Sequence, residues 1–298
     1  MVSIIIVNYN GFNDTCELIE SIKTNETYPY EIIIVDNASK NNEGDRLKTL
    51  LPDIKVICSK INTGFAQGNN IGVAHRCEES AYLLFLNNDT ILTGPILEKM
   101  IKPFENNRKI GCVSPKVTFW PEKETLQYAG ATPMSAITLR NEFIGYNQKD
   151  EARFNIAGET AFANGAAMMI RTNDIQKFGL MVDDYFLYYE EMDWCMRMRK
   201  SGFTIWYEPS VVIGHKESAS VGLESPLQVY YHNRNRFVFA CNTVSSRLER
   251  TLSYFYQALI AIPKRTLSFI IQGKFRLLPP LWKGALSGIK FIFFHSYK

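Results

Sequence analysis

The first hundred residues alternate between short runs of apolar or β-branched residues and longer amphipathic stretches. The short runs predict buried strands of a parallel sheet, at residues 2–7, 31–35, 54–58 and 81–86. The amphipathic stretches between them predict helices, at residues 14–23, 42–51 and 68–77. Strands that alternate with helices in this rhythm are joined by right-handed crossovers. The sequence therefore predicts an α/β fold with a mostly parallel sheet flanked by helices.

Beyond residue 95 the pattern is less regular. Residues 96–104 and 190–200 predict helices, and residues 111–119 and 164–170 predict strands. Residues 120–154 are polar, rich in turns and only weakly periodic. Such a segment is typical of a loop region that shapes a substrate cleft.

Polar clusters follow three of the predicted strands directly. They are Asn8-Tyr9-Asn10-Gly11, Asp36-Asn37-Ala38-Ser39 and Asn87-Asn88-Asp89-Thr90. Ligands of open α/β sheets bind beyond the carboxyl ends of the strands, so the three clusters are expected to meet at one crevice. Each cluster alone also fits ordinary turn chemistry. Three in succession favour a binding site.

Asp89 and His215 are candidate metal ligands. Asp89 follows an apolar strand, where one carboxylate can hold a divalent cation while phosphate oxygens complete its coordination. An aspartate that stabilises a turn fits the same position equally well. His215 follows the apolar run 211–213, and it becomes a candidate only if its strand brings it back to Asp89.

Three acidic residues, Glu190, Glu191 and Asp193, open a predicted helix that ends in basic residues. This arrangement complements the helix dipole, which is sufficient to explain each charge. It does not explain the segment 185–189 that precedes the helix, in which four of the five residues are aromatic. Aromatic surroundings of low dielectric make a carboxylate beside a cleft a candidate general base.

Composition and missing motifs exclude several classes. The 298 residues are 46% hydrophobic and 21% charged, as in folded globular proteins, and a net charge of +3 does not indicate nucleic-acid binding. The dinucleotide fingerprint and the P-loop motif are missing, which disfavours dehydrogenases and P-loop enzymes. Six cysteines without close spacing argue against a zinc site or a disulfide framework and favour a reducing cytoplasm. The short N-terminal apolar run predicts no export.

The C-terminal segment differs from the rest in charge. Residues 247–298 contain nine Lys or Arg and one Glu, a net charge of +8, whereas residues 1–246 carry −5. Its apolar runs are shorter than the roughly twenty residues that span a bilayer. Aromatic and leucine residues beside Lys or Arg are typical of interfacial helices on anionic lipid, although small helices covering the core are the alternative. We expect one globular domain at 1–246 and amphipathic helices at 247–298 that attach to the cytoplasmic face of the plasma membrane.

Several ordered motifs over about residues 2–240 resemble one enzyme family. They read VSIIIVNYNG at 2–11, IVDNAS at 34–39, NTGFAQGNNIG at 62–72, LNND at 86–89, FLYYEEMDWCMR at 186–197, YEP at 207–209, HK at 215–216 and YYHNRN at 230–235. This succession resembles the inverting glycosyltransferase family 2 and its rhamnosyltransferase-like branch. The resemblance implies a GT-A type, Rossmann-like sheet for residues 1–246. It also implies that a sugar moves, with inversion, from a nucleotide-diphosphate sugar to a hydroxyl group.

The resemblance also implies the metal site and the catalytic residues. Asp89 stands at the last position of the family's D-x-D motif and is expected to bind Mg²⁺ or Mn²⁺, with His215 as a further ligand. Glu191 stands at the position of the catalytic base. Glu190 and Asp193 are expected to support it.

A further group is expected to form the nucleotide-sugar pocket. Within it, Tyr9 and Asp36 are expected to contact the base and the ribose, and Asn87 replaces the first acid of D-x-D. The whole group is Asn8, Tyr9, Asn10, Asp36, Asn37, Asn62, Gly64, Phe65, Gly68, Asn69, Asn87, Asn88, Asn164, Gly165 and Arg234.

The sequence leaves the donor and two other functions open. The donor is dTDP-rhamnose or a UDP-hexose, and the expected acceptor is a glycan, lipid-linked at the membrane face, in cell-surface polysaccharide synthesis. A sugar nucleotidyltransferase is an alternative, but it needs a basic, glycine-rich signature near its first strand, which residues 1–22 lack. A non-catalytic sugar-nucleotide-binding module is the other alternative, favoured only if Asp89 or the Glu190-Glu191 pair were missing.

Overall fold

The computed structural model describes residues 1–216 and 224–295, so the last three residues of the predicted tail lie outside the described residues. The described residues form a ten-stranded sheet with the main order β3-β2-β1-β4-β9-β6-β10-β5, while β7 pairs with β6 and β8 with β10. The strands are β1 (Val2–Asn8), β2 (Tyr30–Asp36), β3 (Lys55–Cys58), β4 (Tyr82–Leu86), β5 (Thr90–Leu92), β6 (Ile110–Phe119), β7 (Leu126–Tyr128), β8 (Gly158–Thr160), β9 (Ala167–Arg171) and β10 (Thr204–His215).

The first half of the sheet is parallel, as the sequence predicts. β1 pairs in parallel with β2 and β4, and β2 with β3. Helices α1 (Phe12–Asn25), α2 (Glu43–Leu50) and α3 (Gly64–Ala74) connect these strands. The side chains of β1 are almost all buried, which is why this strand is apolar along its whole length. The α/β fold class is confirmed.

The second half of the sheet is mixed. β9 lies antiparallel between β4 and β6, and β10 is parallel to β6 but antiparallel to β5. The last three residues of β10 pair with β5, so that His215 lies opposite Thr90. This pairing places the end of β10 beside Thr90, the residue that follows Asp89.

Seven further helices complete the described chain. They are α4 (Leu97–Asn106), α5 (Ile175–Phe178), α6 (Glu190–Lys200), α7 (Pro226–Thr243), α8 (Arg247–Tyr256), α9 (Ile262–Ile271) and α10 (Leu278–His295), with a π-helical turn at Gln257–Ala261. No helix in the described ranges is long and apolar enough to cross a membrane.

The C-terminal helices pack against α7. A buried cluster joins Val229 and Phe237 of α7 to Phe269 of α9 and Leu281 of α10. The α7 and α10 backbones approach closely at Gly284, where a Cβ would collide with the main-chain oxygen of Tyr230. The predicted tail is therefore continuous with the rest of the molecule through α7.

Candidate active site

A cavity of about 770 Å³ lies at the carboxyl ends of β1, β2 and β4. Each of the three predicted polar clusters reaches it: the first through Tyr9, the second through Asn37, and the third through Asn87, Asn88 and Asp89. The structure therefore brings the three strand ends together. The predicted site residues that line the cavity are Tyr9, Asn37, Asn62, Gly64, Phe65, Asn87, Asn88, Asp89, Asn164, Gly165, Glu190, Glu191 and His215.

Asn37 organises the wall formed by residues 62–65. Its Nδ2 donates to Asn62 Oδ1 (3.0 Å) and to the main-chain oxygen of Gly64 (2.9 Å), and its Oδ1 accepts from the Thr63 amide (3.0 Å). Gly64 has φ +84° and lies against the main chain of Phe186, so a side chain there would clash. The two constraints fix the backbone of this wall.

Four predicted residues lie behind the cavity wall. Asn8 is fully buried, and its Nδ2 donates to Asp36 Oδ1 (2.8 Å). Asn69 is also buried and donates to the main-chain oxygen of Phe65 (3.0 Å). Gly68 packs against Val7, where a Cβ would lie 3.0 Å from Val7 Cγ1. In the structure these residues support side chains that do line the cavity.

Three other predicted residues also lie outside the lining. Asn10 Oδ1 accepts from the Lys40 amide (2.9 Å). Asp193 is buried in an ion pair with Arg197 (2.8 Å). Arg234 donates to the main-chain oxygen of Asp184 (2.8 Å). The contacts of Asn10 and Arg234 join separate segments of the chain, whereas the ion pair of Asp193 lies within α6.

Asp89 and His215 lie side by side in the cavity. His215 Nε2 is 3.1 Å from Asp89 Oδ1, and the next residue, Lys216, donates its amide to the Asp89 main-chain oxygen (3.0 Å). Burial acts to raise the pKa of the Asp89 carboxyl, but the hydrogen bond and charge of His215, with the charge of Lys216, hold that pKa below its ordinary value. Asp89 is therefore ionised at neutral pH.

The donor atoms around Asp89 suit a divalent cation. Two ligand atoms bound at right angles, each about 2.1 Å from Mg²⁺, lie about 3.0 Å apart, close to the Asp89–His215 separation. Asn87 Oδ1 is buried and has no hydrogen-bond partner in the described part of the chain, so a third oxygen is available. Within residues 1–216 and 224–295, no three His, Cys, Asp or Glu side chains surround a common point. A cation here needs further oxygens from a ligand or water.

Glu190 and Glu191 form the first turn of α6. Tyr188 and Tyr189 just before them both have left-handed backbone conformations, with φ 71° and 78°. Such conformations are costly for bulky residues and cluster at functional sites. They turn the chain so that both glutamates line the cavity.

The two glutamates differ in burial. Burial raises the pKa of Glu191, and burial together with the charge of Glu191 raises the pKa of Glu190 well above its ordinary value. Glu190 Oε2 has no hydrogen-bond partner among the described residues. Glu191 is partly exposed and lies against Gly165, where a Cβ would be 3.6 Å from Glu191 Cδ. Glu191 is thus the carboxylate that a ligand can reach.

The sequence did not identify several residues that line the cavity. Gln127 of β7 and the segment 139–146 belong to the region predicted only as a loop that shapes a cleft. Tyr231, His232 and Arg236 lie on α7. The motif at 230–235 included the first two of them, but no local pattern singled out Arg236 or Gln127.

The chain matches a family model and several relatives. The model of Glycosyl transferase family 2 matches residues 3–179, more than half of the chain. The low-salt glycan biosynthesis hexosyltransferase Agl10 of Haloferax volcanii is 25% identical, over 97% of this chain and 91% of the relative. The rhamnosyltransferase WbbL of Escherichia coli K12 is 26% identical, over 80% of this chain and 87% of the relative.

Solved structures share the fold. The crystal structure of GalNAc-T7 with UDP, GalNAc and Mn²⁺ matches with a TM-score of 0.58 and 14% identity, over 86% of this chain and 54% of that chain. The crystal structure of S. aureus TarS 1–349 in complex with UDP matches with a TM-score of 0.55 and 14% identity, over 90% of this chain and 74% of that chain. Both are GT-A glycosyltransferases, so the predicted GT-A fold is confirmed. The chain belongs to glycosyl transferase family 2 and is a glycosyltransferase.

Proposed function

We propose that the enzyme transfers a sugar, with inversion, from a nucleotide-diphosphate sugar to a hydroxyl of a glycan acceptor, using a divalent cation. The main support for this proposal is that Asp89 and His215 lie in contact with each other, in the same cavity as Glu191. A group that neutralises a leaving diphosphate and a group that accepts a proton are both needed for such a transfer.

The cation, Mg²⁺ or Mn²⁺, is held by Asp89 and His215, with Asn87 Oδ1 as a further oxygen. When bound, it acts as a Lewis acid that neutralises the charge of the leaving diphosphate. Mn²⁺ in the GalNAc-T7 structure supports this assignment. The ionised state of Asp89 keeps the site ready for a cation without loss of a proton.

Glu191 removes the proton from the acceptor hydroxyl. Its raised pKa makes it a stronger base than an exposed glutamate while it remains reachable from the cavity. The pKa of Glu190 beside it is raised well above its ordinary value, because Glu190 is buried and two carboxylates at adjacent positions disfavour double ionisation. Asp193 supports the pair indirectly, through its ion pair within α6.

The nucleotide lies against Tyr9 and the wall that Asn37 organises. Amide and hydroxyl groups there offer hydrogen bonds to a base and a ribose without repelling the diphosphate. Asp36, although behind the wall, fixes Asn8 and so the end of β1. UDP in the TarS structure and the name dTDP-rhamnosyl transferase for RfbF of Shigella flexneri support dTDP-rhamnose or a UDP-hexose as donor.

The tail attaches the enzyme to the anionic cytoplasmic face of the plasma membrane, where a lipid-linked glycan of cell-surface polysaccharide synthesis is the acceptor. Large apolar side chains of the tail are exposed to solvent, among them Leu259 (68%), Ile271 (74%) and Phe275 (62%). Basic residues of the tail, such as Lys264 and Arg276, are also exposed. Exposed apolar area beside positive charge favours an anionic lipid surface.

The test is a donor screen with purified protein. Release of nucleoside diphosphate is measured from dTDP-rhamnose and UDP-hexoses with Mg²⁺, with Mn²⁺ and with EDTA. We expect turnover of one donor class that stops in EDTA and falls by a thousandfold or so in Asp89→Ala, which keeps the melting temperature of the wild type. Full turnover in EDTA with the metal content checked would contradict the cation's role.

A further inference from the structure

The turn that precedes α6 has a backbone that its own residues disfavour. Tyr188 and Tyr189 are consecutive and bulky, and both are left-handed, with φ of 71° and 78°. In this conformation the Cβ of an L-residue crowds the neighbouring main-chain oxygen, so residues other than glycine, asparagine and aspartate rarely adopt it. A backbone of this kind persists only where contacts with the surrounding structure hold it.

Asn235 of α7 makes two such contacts. Its side chain is fully buried, and its Nδ2 donates to the main-chain oxygens of Leu187 and Tyr188, at 2.8 Å each. These oxygens belong to the two peptide groups that flank Tyr188. One amide group therefore binds both peptide groups whose orientation sets the left-handed conformation of Tyr188.

Arg234 fixes the orientation of the Asn235 amide. Its Nη1 donates to Asn235 Oδ1 (2.6 Å) and to the main-chain oxygen of Asp184 (2.8 Å). Because a guanidinium only donates hydrogen bonds, the amide oxygen faces Arg234 and the NH₂ group faces the two main-chain oxygens. Two neighbouring residues of α7 thus bind the main chain of the segment 184–188.

The turn lies between an anchored residue and the proposed base. On one side, the Phe65 amide donates to the main-chain oxygen of Phe186 (2.8 Å), so the cavity wall anchors Phe186. On the other side, Glu191 is the second residue of α6 and lines the cavity. Residues 187–189 connect the two, and a change in their dihedral angles would move the start of α6 together with the Glu191 carboxyl.

We infer that Asn235 is a positioning residue, which holds the turn at 188–189 so that Glu191 faces the acceptor hydroxyl. The inference rests on the proposed function, because it takes Glu191 as the base. Asn235 itself lies outside the cavity lining and acts through Glu191. A displacement of about 1 Å at a reacting group can lower the rate about a hundredfold although the group is still present.

The test begins with Asn235→Ala, which removes both hydrogen bonds to the turn. We expect kcat to fall by about tenfold to a hundredfold while KM for the donor stays within about twofold. Asn233→Ala is the matched control, since Asn233 is also a buried amide of α7 but donates to Val229 of its own helix (2.6 Å). Wild-type kcat in Asn235→Ala, or an equal loss in both variants, would overturn the inference.

Asn235→Asp separates the turn from the contact with Arg234. An ionised aspartate keeps the size of the side chain and can bind Arg234, but it cannot donate to a main-chain oxygen. Because it leaves no cavity, it remains informative even if alanine at this position prevents folding. We expect a loss of kcat at least as large as in Asn235→Ala. Recovery of the wild-type kcat would overturn the inference, because the contact with Arg234 would then be sufficient.

A double variant tests whether Asn235 acts through the base. In the Glu191→Gln background, Asn235→Ala should lower the residual kcat by less than about twofold, because substitutions that affect one group are not additive. A further loss equal to that in the wild-type background would overturn the inference, since Asn235 would then act on a different group.

Hydrogen exchange needs no turnover and therefore separates this inference from the proposed function. Asn235→Ala should speed exchange in the first turn of α6, where the Asp193 amide donates to the main-chain oxygen of Tyr189 (2.9 Å), and leave β1 unchanged. Unchanged exchange in α6 would overturn the inference. A wild type that turns over no donor would contradict the proposed function, while faster local exchange would still show that Asn235 holds the turn.

Discussion

Gln127 binds both the ring and the main chain of His215. Its Nε2 donates to the His215 main-chain oxygen (2.8 Å), which directs its Oε1 toward His215 Nδ1 (2.7 Å). Because an amide oxygen only accepts, Nδ1 carries the ring proton in this contact. Gln127 therefore leaves Nε2, which lies against Asp89, as the ring nitrogen that can bind a cation in place of a proton.

Loss of the Gln127 amide should weaken the cation site. We expect Gln127→Leu to raise the dissociation constant for Mn²⁺, in the presence of nucleoside diphosphate, by about 10- to 100-fold, as for other groups that orient a histidine ligand. Electron paramagnetic resonance of free Mn²⁺ measures this directly. Gln148→Leu is the matched control, since Gln148 is exposed and does not line the cavity. Equal Mn²⁺ affinity in both variants would show that Gln127 has no orienting role.

Glu191→Gln should remove the general base. We expect kcat to fall by about a hundredfold to ten-thousandfold. Because burial raises the pKa of Glu191, the wild-type rate should fall as the pH drops through a value above 4.5, and this acidic limb should vanish in the variant. Near-normal turnover of Glu191→Gln, together with an inactive Glu190→Gln, would assign the base to Glu190 instead.

Glu190 should destabilise the ligand-free protein at high pH. Its pKa is higher in the folded state than in the unfolded chain, so the folded state binds more protons, and the free energy of unfolding falls as the pH rises above 4.5. We expect Glu190→Gln to raise the melting temperature by roughly 2–4 °C at pH 8, and by less at pH 5. Scanning calorimetry in EDTA measures this, with the exposed Glu79→Gln as control. A larger gain at pH 5 than at pH 8 would contradict it.

Exposed apolar residues of the tail should be needed for membrane binding. We expect wild type to co-sediment with phosphatidylglycerol vesicles, and Leu259→Glu with Ile271→Glu to reduce the bound fraction several-fold. Point substitutions are preferable to truncation at Arg247, which would uncover the buried Val229 and Phe237 of α7. Ile61→Glu is the matched control, because Ile61 is 69% exposed but outside the tail. Equal sedimentation of all variants at low salt would refute the attachment.

The sequence by itself determined the elements of the first hundred residues and the polar clusters at their strand ends. Runs such as 2–7 are apolar because both faces of a buried parallel strand are covered. A short run of consecutive apolar residues is therefore enough to predict such a strand. The start of α6 at Glu190 was likewise predicted from acids followed by bases. These features depend on local periodicity and on the residues that end a strand. Both can be read from one short segment of the sequence.

Only the tertiary structure decided how distant segments meet. Whether His215 could join Asp89 depended on the antiparallel pairing of β10 with β5, and that register is set by packing across the sheet rather than by any local pattern. The same holds for Gln127, which occupies a three-residue strand inside a segment that looks like a loop, and for Arg236, whose place in the cavity depends on α7 packing against α10. Side chains such as Gln127 and Arg236 reach the cavity through long-range contacts, and their spacing along the chain does not encode those contacts.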